Sequence, residues 1–257
     1  ITDFIQSLKP ARIVASGLIL LSFPICSDAK ESRDFEQLGE MLPTPNEVRL
    51  ATGAPGPDYW QQEANYKIQV ELDEKRSHIR GSETVEYVNH SPHLLRYLWV
   101  QLDQNALAQD SKRQRSAQSL NFVPAADNPA EIEYDGFRSF VYSQQFEGGY
   151  ELKSVTDLRG ESLDYTVVNT NMRIDLENPL KPGNSFSFKI DWAFTIHDEA
   201  LSFRHGKRKL KSDEYVYHVA QWYPRMCAYY DQEGWQVKPY IGQGEFALEF
   251  GSFEVEI

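Results

Sequence analysis

The sequence is short of most things that announce a chemistry. Only two cysteines, Cys26 and Cys227, occur in 257 residues, which excludes a disulfide-stapled scaffold and any four-cysteine zinc site. No histidine is followed by glutamate, so the His-Glu-x-x-His zinc helix is absent. So are a Gly-x-Ser-x-Gly nucleophile elbow, a phosphate-binding P-loop and a dinucleotide fingerprint. Positive charge is also scarce: 26 Lys and Arg stand against 38 Asp and Glu, a net charge of -12. That balance argues against nucleic acid, which rewards basic faces through counterion release, and gives no general attraction to anionic membranes. There is no low-complexity tract and no internal repeat. What is abundant is aromatic: 14 Tyr, 14 Phe and 5 Trp, a composition that favours β-structure.

The first 29 residues have the three parts of a secretory signal peptide. Lys9 and Arg12 form a basic flank, Ile13 to Cys26 is a mostly apolar run, and Ser27 and Ala29 suit cleavage after Ala29. The apolar run is shorter than the ~20 residues needed to span a bilayer, which favours a cleaved signal over a retained anchor. Export to a periplasm or the medium is the expectation, with no membrane association beyond the signal. Residues 30–58 read as a polar lead, a short helix and a Gly/Pro linker. Thr44-Pro45-Asn46-Glu47 carries a cap, a first-turn proline and a capping-box glutamate, and Gly53-Ala54-Pro55-Gly56-Pro57 breaks the helix.

From 59 to 257 the pattern is strand after strand. Tyr66–Leu72 and Thr84–Val88 alternate apolar and polar residues across a polar turn at Asp73–Ser77, which predicts a hairpin. Tyr97–Leu102 reads as a more buried strand and 103–130 as a polar excursion with one helical turn. Further strands are predicted at Tyr150–Val155, Leu163–Val168, Met172–Leu176, Ser185–Ile196, Tyr215–Val219 and Glu245–Ile257, with turn chemistry between them. Short strands at this spacing predict an all-β fold, a mostly antiparallel sandwich-like domain. The chain opens on Ile and closes in mid-alternation at Phe253–Ile257, so the β-domain is expected to be truncated at its C-terminal end.

Several groups invite a functional reading. His90 and His93 are three apart, but Ser91-Pro92 between them favours a turn over a metal-binding helix. Cys227 reads as a buried small hydrophobe rather than a reactive thiol. The basic run Arg204–Lys211 reads as a solvated loop between strands, with a docking surface for an acidic partner as its alternative. The densest aromatic cluster is Gln221-Trp222-Tyr223-Pro224-Arg225-Met226 with Tyr229, Tyr230 and Trp235. It can wall a pocket or form a corner joining two sheets, and residue chemistry leaves the two even.

Five stretches in order carry a resemblance: Gly53–Gln62, Gly81-Ser82-Glu83-Thr84, Tyr97–Asn105, Gln221–Met226 and Gly244-Glu245-Phe246. Together they resemble the amino-terminal domain of aminopeptidase N-like zinc metallopeptidases, the gluzincin aminopeptidase family. The resemblance implies a saddle-shaped β-domain that precedes a thermolysin-like catalytic domain. The zinc and all catalytic residues would belong to that missing domain, so this chain is assigned no catalytic residue, no metal ligand and no cofactor of its own. The expected partners are that catalytic domain and a peptide substrate. The family's amino-terminal domain lends one polar residue to the rim of the substrate pocket, and here Gln221 lies in the matching segment, with Tyr223 the other candidate. The reading is thus a non-catalytic domain of an exported aminopeptidase. The alternative is a stand-alone β-sandwich module that binds peptide, glycan or protein partners.

Overall fold

Alternation along the chain fixes which residues of each strand turn inward. In Glu63–Asp73 the buried residues are Ala64, Tyr66 and Ile68; in His78–Val88 they are Ile79, Glu83, Val85 and Tyr87. The computed structural model describes residues 45–116, 124–125, 128–132, 134, 137, 141–142, 145–197, 206–241 and 247–257. The signal segment 1–29, the lead up to residue 44, the start of the basic run and Gly244-Glu245-Phe246 lie outside these residues.

The elements in chain order are β1 (Glu63–Asp73), β2 (His78–Val88), β3 (Leu95–Gln101), a 3-10 turn (Asp103–Leu107), the short helix α1 (Lys112–Ser116), β4 (Pro124–Ala125) and β5 (Asn128–Ile132). There follow β6 (Glu151–Asp157), β7 (Asp164–Val168), β8 (Asn171–Leu180), β9 (Ser185–Thr195), β10 (Gly206–Lys209), β11 (Tyr215–His218), β12 (Arg225–Met226), β13 (Tyr229–Tyr230), β14 (Gly234–Trp235) and β15 (Phe253–Glu256). Two sheets dominate, one in the order β15-β1-β2-β9-β6 and one in the order β12-β3-β8-β7. All their pairings are antiparallel except β15 on β1, which is parallel in the register Tyr66↔Phe253. The architecture is an all-β sandwich.

One core lies between the sheets. Tyr66, Ile68, Val85, Tyr87, Phe188, Ile190, Trp192 and Phe194 come from the first, and Leu98, Val100, Met172 and Ile174 from the second. Each such side chain contributes roughly 1.5–3 kcal/mol by leaving water. Gly81 is needed here because Trp192 of β9 lies across it: an added Cβ would sit 2.4 Å from the indole ring. At one end of the sandwich the fully buried Asn89 is a hub. Its Nδ2 donates to the carbonyls of His93 and Leu180, and its Oδ1 accepts from Gln62 Nε2, from the Ser91 amide and from the Ser91 hydroxyl.

Three expectations need correction. The helix expected after Thr44 does not form over residues 45–53. Asn46 spends its side chain on an Asx turn, with Oδ1 accepting from Val48 N (2.8 Å) and Arg49 N (2.9 Å), and the chain folds back so that Arg49 bridges Pro55. The basic run is not all loop. Gly206–Lys209 is β10, because Lys207 and Lys209 lie opposite Tyr217 and Tyr215 on β11, and Lys209 pairs with Asp213 across the turn (2.7 Å). The last strand is shorter than expected, since 247–249 are irregular and β15 begins at Phe253.

Candidate functional site

The segment Ala220–Pro224 crosses from β11 to β12 at the junction of the two sheets. β12 pairs with β3 (Arg225↔Gln101), while the Met226 amide donates to the Tyr66 hydroxyl of β1 (2.9 Å), so the segment is anchored on both layers. Trp222 packs against Trp192 (ring centroids 5.9 Å apart) and edge-on to Tyr223 (5.0 Å). Tyr223 lies edge-on to Tyr66 (5.5 Å) and to Phe253 of β15 (6.0 Å).

Gln221 has a left-handed backbone, with φ 54, unusual for a residue with a side chain. Three hydrogen bonds impose it. Buried Gln104, on the turn after β3, donates from Nε2 to the carbonyls of Ala220 (3.2 Å) and Gln221 (3.1 Å), and the Tyr150 hydroxyl donates to the same Gln221 carbonyl (3.3 Å). Tyr150 is placed in turn by Asn105 Oδ1, which accepts from its amide (2.8 Å). Gln221 and Tyr223 are therefore brought together on one half-buried segment whose backbone is held by hydrogen bonds from Gln104 and Tyr150.

Under this segment lies a buried polar cluster. Arg225 pairs with Asp103 and donates to Gln101 Oε1 (3.0 Å). Burial pushes the Asp103 carboxyl up and Arg225 opposes that shift. Glu83 is 1% exposed, and among the described residues neither of its oxygens has a hydrogen-bond partner; nor has the indole nitrogen of Trp192. Burial raises the Glu83 carboxyl well above the ordinary carboxylate range. Its field reaches Tyr66, Tyr150 and Tyr223, whose hydroxyls are themselves raised, chiefly by burial. The sequence signal for Glu83 was a carboxylate on the inward row of β2, in step with Ile79, Val85 and Tyr87. Gln104, Asp103 and Tyr150 carried no comparable signal, because only the tertiary fold brings them beneath residue 221.

The other candidates lie elsewhere. His93 is on a bend, its Nδ1 2.8 Å from the Tyr229 hydroxyl, and His90 faces Glu63 at 3.5 Å. Cys227 is fully buried and burial pushes its thiol up, which removes the thiolate a nucleophile or ligand needs. Among the described residues no cluster of three or more His, Cys, Asp or Glu is placed to hold a metal ion. A groove of about 790 Å³ crosses the outer face of the first sheet, with Glu71, Arg80, Ser82, Glu151, Lys153 and Asp191 along it. Its charges are largely paired with one another, Arg80 to Glu71 (2.7 Å) and Lys153 to Glu151 (2.7 Å). No described helix is long and apolar enough to cross a membrane.

No family model matches the sequence, and no curated protein matches it. Among solved structures, the chain is similar to an M1 zinc metallopeptidase from Deinococcus radiodurans, with 10% identity and a TM-score of 0.31 over 53% of this chain and 21% of that one. A mutant of the M1 zinc metallopeptidase from Deinococcus radiodurans bound to a Tyr-Ser-Ala substrate gives 12% identity and a TM-score of 0.33 over 60% and 26%. A two-domain M1 zinc metallopeptidase mutant bound to L-tryptophan gives 10% and 0.31 over 56% and 23%. The likeness is remote, and the chain spans about a fifth to a quarter of the length of these structures.

Proposed function

We propose that this chain is the non-catalytic amino-terminal β-domain of an exported zinc aminopeptidase, and that its Gln221–Tyr223 segment forms part of the rim over which a peptide's free amino end enters the cleft. The observation that carries the reading is the backbone of this segment. A residue with a side chain is held in the left-handed conformation by three hydrogen bonds, which is backbone strain kept where the surroundings over-determine it. The ordered sequence stretches that resemble the family's amino-terminal domain support it, and two of them, Tyr97–Asn105 and Gln221–Met226, meet at this point of the fold.

In this reading the rim residues work by position. Gln221 offers an uncharged amide that can bond a peptide backbone or an amino terminus, and Tyr223 offers a ring with a hydroxyl at its edge. Zinc, peptide hydrolysis and the general base belong to a partner domain of the same parent. Zinc there would supply an activated water as nucleophile.

The test is made on the protein isolated from its own cells with an antibody raised against residues 45–257. The reading expects a mass far above 29.6 kDa and release of amino-terminal residues from an aminoacyl-anilide that a chelator abolishes. In that parent, Gln221→Ala should raise KM more than it lowers kcat. Chelator-sensitive hydrolysis by the 257-residue chain alone would overturn it, as would a native protein of this size without peptidase activity. In the second case the alternative stands, a sandwich module that binds peptide, glycan or protein. The groove over the first sheet favours that alternative.

A further inference from the structure

Strand β15 lies at the edge of the first sheet, with β1 on one side and, among the described residues, no strand on the other. Its attachment decides which backbone groups are committed. The Phe250 carbonyl accepts from Ala64 N (2.9 Å) and the Ser252 carbonyl from Tyr66 N (2.8 Å), while Ser252 N donates to Asn65 Oδ1 (2.8 Å). The register from Tyr66↔Phe253 to Gln69↔Glu256 continues that phase, so the even-numbered residues turn their N–H and C=O groups to β1. The N–H and C=O groups of Phe253 and Val255 therefore point to the open edge, where each needs a partner or water. β15 carries no lysine, proline or bulge, the devices that blunt natural edges.

The two faces of the strand differ in chemistry. Phe253 and Val255 share the inward face with Tyr66 and Ile68, but the second sheet leaves them 52% and 43% exposed. Phe253 is fixed there by stacking on Tyr66 (4.9 Å) and by the edge of Tyr223 (6.0 Å). On the outward rows of β15 and the facing stretch of β1 stand Glu63, Glu254, Glu256 and one base, Lys67. Lys67 pairs with Glu254 (3.3 Å), whereas the partner of Glu256 among the described residues is the uncharged Gln69 amide (3.0 Å). The groove of the outer face opens at the same edge, with Glu256 in its wall.

We propose that the free edge of β15 docks an extended segment of another protein as an added strand, its apolar residues covering Phe253 and Val255 and its alternating basic residues pairing with Glu254 and Glu256. The edge backbone groups give the affinity, and the alternation of apolar and acidic rows selects the partner. A second copy of this chain is a poor occupant. Antiparallel pairing of two β15 edges sets glutamate against glutamate on the outward row in the registers that pair most of the strand, and like charges opposite each other are destabilising. Each chain also carries a net charge of -12. The docking edge stands whether or not the chain belongs to an aminopeptidase.

The experiment is residue-resolved amide exchange on the 257-residue chain, titrated with a synthetic peptide that alternates Val and Lys and with its Val/Glu counterpart. At about ten times the dissociation constant read from the titration, exchange at Phe253 and Val255 should slow about 11-fold with the Val/Lys peptide. It should stay unchanged with the Val/Glu peptide. Val255→Pro removes an edge donor and leaves the β1 ladder intact, a change that an edge strand tolerates. It should keep the wild-type protection of Ala64 and Tyr66 and bind the Val/Lys peptide at least about tenfold more weakly. The double variant Glu254→Lys, Glu256→Lys should reverse the preference between the peptides, and it decides the matter if Val255→Pro fails to fold. No saturable slowing, equal slowing by both peptides, or unchanged binding in Val255→Pro overturns the proposal. So does strong protection of Phe253 and Val255 before any peptide is added. If that protection is independent of protein concentration, another segment of this chain lies on the edge; if it rises with concentration, a second copy does.

Discussion

Placing a single methyl group at residue 81 should be among the most disruptive small changes available to this fold. The Cβ of Gly81→Ala would fall 2.4, 2.7 and 2.8 Å from three ring carbons of Trp192. Unstrained carbon contacts lie at roughly 3.5–4.0 Å, so the indole must retreat by about 1 Å. It has little room to do so: it is 1% exposed and packed against Tyr150, Phe194 and Trp222. Overpacking of this kind costs about 1–3 kcal/mol, and the surrounding rings put the figure near the upper end. Alanine restricts the unfolded chain and returns only about 0.4–1 kcal/mol. At about 2–4 °C per kcal/mol for a chain of this size, Tm should drop by about 4–10 °C. Thermal and urea unfolding of the 257-residue chain, followed by tryptophan fluorescence, measure it. Because the clash is with one ring, Trp192→Phe should lose less in the Gly81→Ala background than alone, with a coupling of at least about 1 kcal/mol. A Gly81→Ala protein within about 0.5 kcal/mol of wild type, with additive effects in the double variant, would refute the reasoning.

Three further outcomes follow from the site. Glu83→Met should stabilise the fold at pH 7 by about 1–3 kcal/mol, since it removes a buried carboxyl without partners. The gain should shrink toward pH 4, because a raised acid costs stability only as pH rises above its unfolded value; urea unfolding at both pH values checks it. Gln221→Gly should be neutral to slightly stabilising, as relief of about 1–2 kcal/mol of left-handed strain outweighs about 0.5–1 kcal/mol of added chain entropy, whereas Gln221→Val should lose at least about 1 kcal/mol. Cys227 should resist a thiol reagent at pH 8 in the native protein and react promptly in denaturant.

The strands were legible where periodicity and burial coincide. β1, β2 and β9 alternate across a half-buried sheet, and their inward rows could be read directly from the sequence. The expected helix after Thr44 failed because a capping signature states only that a side-chain acceptor is available. Asn46 used its acceptor to close a turn, and no apolar face followed to make a helix worth packing. In the basic run, charge concealed a strand whose lysine stems lie beside Tyr215 and Tyr217. The candidate segment at Gln221–Met226 was legible as an aromatic cluster, but its left-handed residue was not. That conformation is imposed by Gln104 and Tyr150, 117 and 71 positions away in sequence.

The buried Asn89 has a consequence for how the molecule comes apart. Its amide touches the connection from β2 to β3, the end of β8 and the segment entering β1, while its own backbone bonds to Gly183 and Asn184 in the turn before β9. Each of these belongs to a different stretch of chain, and both sheets are represented. Neither layer can peel away without leaving several buried donors and acceptors unsatisfied at once, at a cost of about 1–3 kcal/mol each. Loss of order at this end is therefore all-or-none, and the two sheets should melt as a single cooperative unit.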